Sequence, residues 1–119
     1  MNNKNVFLAL VVLLVFGCYN MPTPTSQIVG SYSSGLSYRD YSCTELVKEL
    51  KLVASRESRL VIAQEQRIEK SQAQVFWVGY GEGDGIEASE LAAARGEKEA
   101  ILRAISKKDC DTNWGPMIQ

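Results

Sequence analysis

The chain has 119 residues, 13 Lys or Arg against 14 Asp or Glu, a formal net charge of −1, three cysteines and no histidine. Without histidine there is no Ser-His-Asp or Cys-His site and no imidazole base or metal ligand. Its interspersed charges present no basic patch for nucleic acid, and its length allows one small domain.

Residues 1–5 carry a single cation, Lys4, and residues 6–16 form an uncharged apolar run that ends at Gly17 and Cys18. A cationic start, an apolar core of about 7–15 residues and a small residue at the cleavage point describe an export signal. The run falls short of the roughly 20 residues that a bilayer crossing needs. Val15-Phe16-Gly17-Cys18 resembles the lipobox of bacterial lipoproteins. The resemblance implies that a diacylglycerol joins the Cys18 thiol, that cleavage between Gly17 and Cys18 removes residues 1–17, and that a further acyl chain such as palmitate caps the new N-terminus. Tyr19 stands where lipoproteins kept in the inner membrane carry Asp, so the resemblance implies the outer membrane of a Gram-negative envelope, facing the periplasm. Each buried methylene contributes about 0.8 kcal/mol, so two or three acyl chains hold where one barely does. A plain secretory signal with an incidental cysteine is the competing reading.

Residues 18–39 read as a flexible tether from the lipidated cysteine. Met21-Pro22-Thr23-Pro24-Thr25-Ser26 has no apolar periodicity, and Gly30, Ser31, Ser33, Ser34, Gly35 and Ser37 continue that character. Such a composition buries too little to offset its ordering entropy. Tyr19, Tyr32, Tyr38 and Tyr41 are more aromatic than a linker needs, and are candidates for packing on helices or lipid headgroups.

From residue 40 the pattern changes. Asp40 or Ser42 can cap a helix, with Glu45 in its first turn. Leu46, Leu50, Val53, Leu60, Val61, Gln64 and Ile68 then recur at spacings of three and four, and Glu57 occupies the remaining slot of that stripe. The spacing predicts an amphipathic helix over about 42–76. Four glycines in 79–85 predict a turn. A second helix is predicted over about 86–108, with Leu91, Ala94, Lys98, Ile101 and Ile105 as its stripe and alanines raising its propensity. Residues 111–119 read as a tail.

If Cys18 carries lipid, Cys43 and Cys110 remain, and an exported chain sits where disulfides persist. Trp77 is nearly equidistant from both, so a chain folded back near it brings the two cysteines level. A Cys43–Cys110 bridge is therefore expected; two free thiols or a bridge between protomers are the alternatives. In the same register Glu57 is expected to reach Arg95, and Gly96 to let the helices approach closely. The expected fold is all-α: a long, coiled-coil-like antiparallel two-helix hairpin over 40–110, stapled by one disulfide and preceded by the signal and tether.

No constellation on the chain suits catalysis. The Gly79-x-Gly-x-Gly-x-Gly run follows no strand and lacks the Lys-Ser/Thr of a phosphate loop. Glu82, Asp84 and Glu87 lack the spacing of an EF-hand. No catalytic residue, metal site, cofactor or small-molecule substrate is expected. Phe76, Trp77 and Tyr80 are the candidates for contact with a partner or a membrane, because aromatics at a hairpin tip have little core to enter.

Tyr38-Arg39-Asp40-Tyr41-Ser42-Cys43, the aromatic Phe76-Trp77 leading to Gly83-Asp84-Gly85, then Glu90-Leu91-Ala92, Arg95-Gly96-Glu97 and Lys107-Lys108-Asp109-Cys110 are together similar to a group of small proteobacterial lipoproteins. Where such proteins carry a longer apolar centre with a proline, this chain has residues 79–85. The resemblance implies two cysteines flanking a helical hairpin and carries no activity with it. The function expected is that of a lipid-anchored, non-catalytic structural or interaction module. It would hold the membrane through its N-terminal lipid and bind an envelope protein or itself. An exclusion factor of a phage or conjugative element, acting at the envelope, is the alternative.

Overall fold

The computed structural model describes residues 3–16 and 20–111. Gly17 and Cys18, on which cleavage and lipidation are expected, lie outside the described residues, as do Tyr19 and the tail beyond Asp111. All regular structure among the described residues is helical: α1 (Asn3–Phe16), α2 (Cys43–Val78) and α3 (Ile86–Lys107), with short 3-10 turns at Thr25–Gln27 and Gly35–Tyr38.

Ser42 starts α2. Its hydroxyl accepts from the Glu45 amide while the Glu45 carboxylate accepts from the Ser42 amide, a reciprocal capping box. With no Gly or Pro to interrupt it, α2 runs for 36 residues, about 54 Å at 1.5 Å per residue. It ends at Gly79, whose φ of +77° lies in the left-handed region that glycine enters without a Cβ penalty, and whose amide donates to the Val75 carbonyl. In α3, Glu87 sits in the first turn and Lys107 in the last, each matching the helix dipole.

The two long helices pack against each other. Leu46, Leu50 and Val53 of α2 meet Ala100, Ile101, Ala104 and Ile105 of α3 in one apolar core that also takes in Tyr38 and Cys110. Cys43 and Cys110 are bonded at the end of this core, their Cα atoms 5.7 Å apart. Away from it the contact turns polar: Arg67 pairs with Glu87 at 3.1 Å and Lys70 with Glu82 at 3.1 Å, while Gln64 and Ser71 are fully buried. Apolar packing thus dominates beside the disulfide, while toward residues 79–85 ion pairs and hydrogen bonds accompany the buried Leu91 and Ala94.

The segment expected to be a flexible tether is instead laid along the helices, and this corrects the composition-based reading. Gln64 Nε2 donates to the Thr23 carbonyl at 2.9 Å. Arg95 Nη1 donates to the carbonyls of Thr25, at 2.7 Å, and Ile28. The Ser31 amide donates to the Ala92 carbonyl at 2.8 Å, and Arg103 Nη2 to the Ser33 carbonyl at 2.9 Å. Pro22, Ile28 and Tyr38 are buried. The ordering entropy is offset by helix side chains that satisfy the segment's backbone, a source of stabilisation that leaves no periodicity in the segment itself.

Gly96 has a different neighbour from the one expected. A Cβ built there would lie 1.6 Å from the Ser31 carbonyl oxygen, so the missing side chain admits the N-terminal segment rather than α2.

Candidate functional site

Three local arrangements gather functional side chains: the ion-pair cluster at mid-helix, the cleft beside the disulfide, and the 76–80 tip.

The first follows from Glu57, the carboxylate in the apolar stripe of α2. Arg95 Nε donates to Glu57 Oε1 at 3.0 Å and Lys98 Nζ to Oε2. Burial alone would raise the Glu57 pKa, but the hydrogen bonds and charges of Lys98 and Arg95 outweigh it and hold the carboxyl below its ordinary range. Lys98, placed by spacing in an apolar stripe, instead brings its ammonium to Glu57. Arg95 has a second task, since it also holds the N-terminal segment. The cluster's charges are committed to one another. We read it as a clamp joining α2, α3 and the segment.

The second is an open cleft of about 650 Å³ lined by Tyr32, Tyr38, Arg39, Arg103, Lys107 and Lys108 among others. The Tyr38 hydroxyl donates to Glu97 Oε1 at 2.9 Å; burial first, and that carboxylate second, push its pKa upward. Tyr41 packs edge-on against the same ring at 5.4 Å. The cleft is cationic at its rim and belongs to the disulfide end of the molecule.

The third is the tip. Phe76, Trp77 and Val78 are the last residues of α2, where the chain must turn and α3 has not yet begun. Phe76 and Trp77 are 80% and 82% exposed, so the rings do not fold back on the helix junction. They meet edge-to-face at 5.3 Å. Val78 and Tyr80 are also exposed. Phe76 and Trp77 therefore form an exposed aromatic pair near the end of α2, and Val78 and Tyr80, the exposed residues that follow, extend the apolar stretch.

Beneath the tip lies a polar latch that sequence reasoning missed. Asn20 Nδ2 donates to the Tyr80 hydroxyl at 3.1 Å and the Gly81 carbonyl at 3.2 Å. Asp84 accepts from the Thr23 amide at 2.6 Å, from the Thr23 hydroxyl, and from Gln64 Nε2 at 2.9 Å. Burial opposes the ionised form of Asp84, but these hydrogen bonds and the Arg67 charge prevail and lower its pKa. Glu82 and Glu87 are taken by Lys70 and Arg67. The three carboxylates considered for a cation are thus engaged by protein groups, Arg67 pairing with both Glu82 and Glu87, and among the described residues there is no group of three His, Cys, Asp or Glu that could hold a metal ion. The available signal for the latch was Gln64, a polar residue inside an apolar stripe.

A pH dependence follows from Glu57, Asp84 and Glu87, whose folded-state pKa values all lie below their unfolded ones. Their contribution is complete above the ordinary carboxylate range, near pH 4, and is lost as pH falls through the depressed folded values. The thermal midpoint is expected to be flat from neutral pH to about pH 5 and to fall steadily below about pH 4. Calorimetry across that range checks it, and a midpoint that rises on acidification contradicts it.

Comparison with protein-family models, curated protein sequences and solved structures finds no match for this chain. The functional reading therefore rests on the residues and their geometry.

Proposed function

We propose that this chain is a lipid-anchored, non-catalytic protein of the bacterial envelope. In this reading Cys18 carries the lipid at the outer membrane, facing the periplasm. The remainder is a disulfide-stapled antiparallel helical hairpin that serves as a structural or interaction module for an envelope protein or a second copy. The antiparallel, coiled-coil-like arrangement is supported by the order in which residues of α2 meet partners further along the chain: Cys43 with Cys110, Glu57 with Arg95, Arg67 with Glu87 and Lys70 with Glu82.

The observation that carries the proposal is the Cys43–Cys110 bond. It accounts for two of three cysteines and suits an oxidising compartment. The third, Cys18, stands directly after the apolar run, where lipobox chemistry needs it. Among the described residues no helix is long and apolar enough to cross a membrane.

Mass spectrometry of the chain recovered from membranes of a Gram-negative host tests this. The expected species is residues 18–119 with a diacylglyceryl group on Cys18, absent from Cys18→Ala. A chain that keeps residues 1–17, or is cut without lipid addition, overturns the reading.

A further inference from the structure

We propose that the 76–80 tip is a second membrane contact, seated at the headgroup–acyl boundary of the same bilayer that holds Cys18. The chain then stands upright on the lipid at two neighbouring points. This rests on the lipid-anchor reading above and adds to it an orientation and a lipid-binding surface.

Asn20 is hydrogen-bonded to Tyr80 and Gly81, and Thr23 to Asp84, so the chain enters the fold at the tip and is fixed there. The entry is close-packed as well, since a Cβ on Gly81 would lie 2.9 Å from the Asn20 carbonyl oxygen and 3.5 Å from Met21 Sδ. Cys18 is two residues upstream of Asn20 and reaches at most about 7 Å from it. A thiol whose acyl chains are in the bilayer therefore draws Tyr80 and its neighbours to the lipid surface.

The chemistry of the tip suits that position. Trp and Tyr favour the membrane interface, where the ring is buried and the polar edge stays wet. Phe76 and Val78 supply purely apolar surface beside them. The carboxylates at the base of the tip, Glu82 and Asp84, are held by Lys70, Arg67, Thr23 and Gln64, so lipid contact strands no bare charge there.

Size separates lipid from protein as the occupant. At about 150–250 Å² apiece, Phe76, Trp77 and Tyr80 offer roughly 450–750 Å², at or below the roughly 800 Å² per partner of a stable protein interface. A lipid surface held within two residues by the anchor needs no independent affinity, because the link sets a high effective concentration. The cationic cleft at the disulfide end is separated from the tip by the length of α2, about 50 Å. The upright seat keeps it clear of the headgroups, whereas a molecule lying flat presses it onto them.

The test uses the full chain, lipidated in cells and reconstituted into phosphatidylethanolamine–phosphatidylglycerol vesicles with brominated acyl chains. Trp114→Phe leaves Trp77 as the sole tryptophan. Trp77 emission is expected to move to the blue and to be quenched on brominated lipid. In a companion chain with Trp77→Phe, Trp114→Phe and Leu36→Trp, the reporter near the cleft is expected to stay unquenched. Quenching of both reporters means a flat molecule and overturns the upright seat. A blue shift without bromine quenching means that the tip is buried against protein, a second copy or another partner, and overturns the lipid contact. Unquenched, water-exposed emission from Trp77, with the lipid on Cys18 confirmed by mass, overturns the tip and leaves the anchor standing. A chain without lipid on Cys18 overturns both.

Discussion

Replacing Cys43 and Cys110 together by serine is expected to remove about 4 kcal/mol of stability, the loop-closure entropy of a bridge across 67 residues. The bond lies at the end of the core built from Leu46, Leu50, Ile101 and Ile105. Its loss frees both the start of α2 and the end of α3, where no other covalent link holds the helices in register. For a folded unit of this size that loss corresponds to roughly 15–30 °C in thermal midpoint. Two helices and one extended segment bury limited apolar area, so the bridge is a large share of a total stability that is about 5–15 kcal/mol for ordinary domains. Guanidinium unfolding of the wild type, with and without reductant, gives the same quantity without mutation. Midpoints that coincide in the two conditions exclude a stabilising role for the bridge.

The long helices and their staple were legible because each leaves a local signal. The three-and-four spacing from Leu46 to Ile68, the Ser42–Glu45 box and the glycines of 79–85 all act over a few residues, and the structure follows them closely. The Cys43–Cys110 bond followed from counting, and the Glu57–Arg95 pair from register. The N-terminal segment was illegible for the opposite reason. Its backbone is satisfied by Gln64, Arg95 and Arg103, each 41 to 70 residues away in sequence. Those side chains look like ordinary polar residues of amphipathic helices, and nothing in 20–41 shows that they are aimed at it. The tip was half legible: Phe76, Trp77 and Tyr80 stood out as a cluster. Their joining to Asn20, and through it to the anchor cysteine, needed coordinates.

Gly96→Ala is the variant expected to separate the segment from the helix pair. In a helix the change alone is favourable, since Ala exceeds Gly by up to about 1 kcal/mol. Here the new methyl would lie 1.6 Å from the Ser31 carbonyl oxygen and 2.7 Å from its carbon, backbone atoms that cannot rotate away. The segment must lift. Lifting breaks the Ser31–Ala92 bond and the Arg95 bonds to Thr25 and Ile28. At a net 0.5–1.5 kcal/mol each, those three amount to about 1.5–4.5 kcal/mol, more than the helix gains. The core between α2 and α3 and the disulfide do not touch Gly96 and are expected to persist. Hydrogen exchange resolves the two effects. In the variant the Ser31 amide loses its protection, while the amides of Leu50 and Ile101 keep theirs. Protease cleavage becomes concentrated in 20–35. Unchanged protection at Ser31 shows that the segment is not held at this point. A uniform loss across both helices shows instead that segment and helices fold as one inseparable unit.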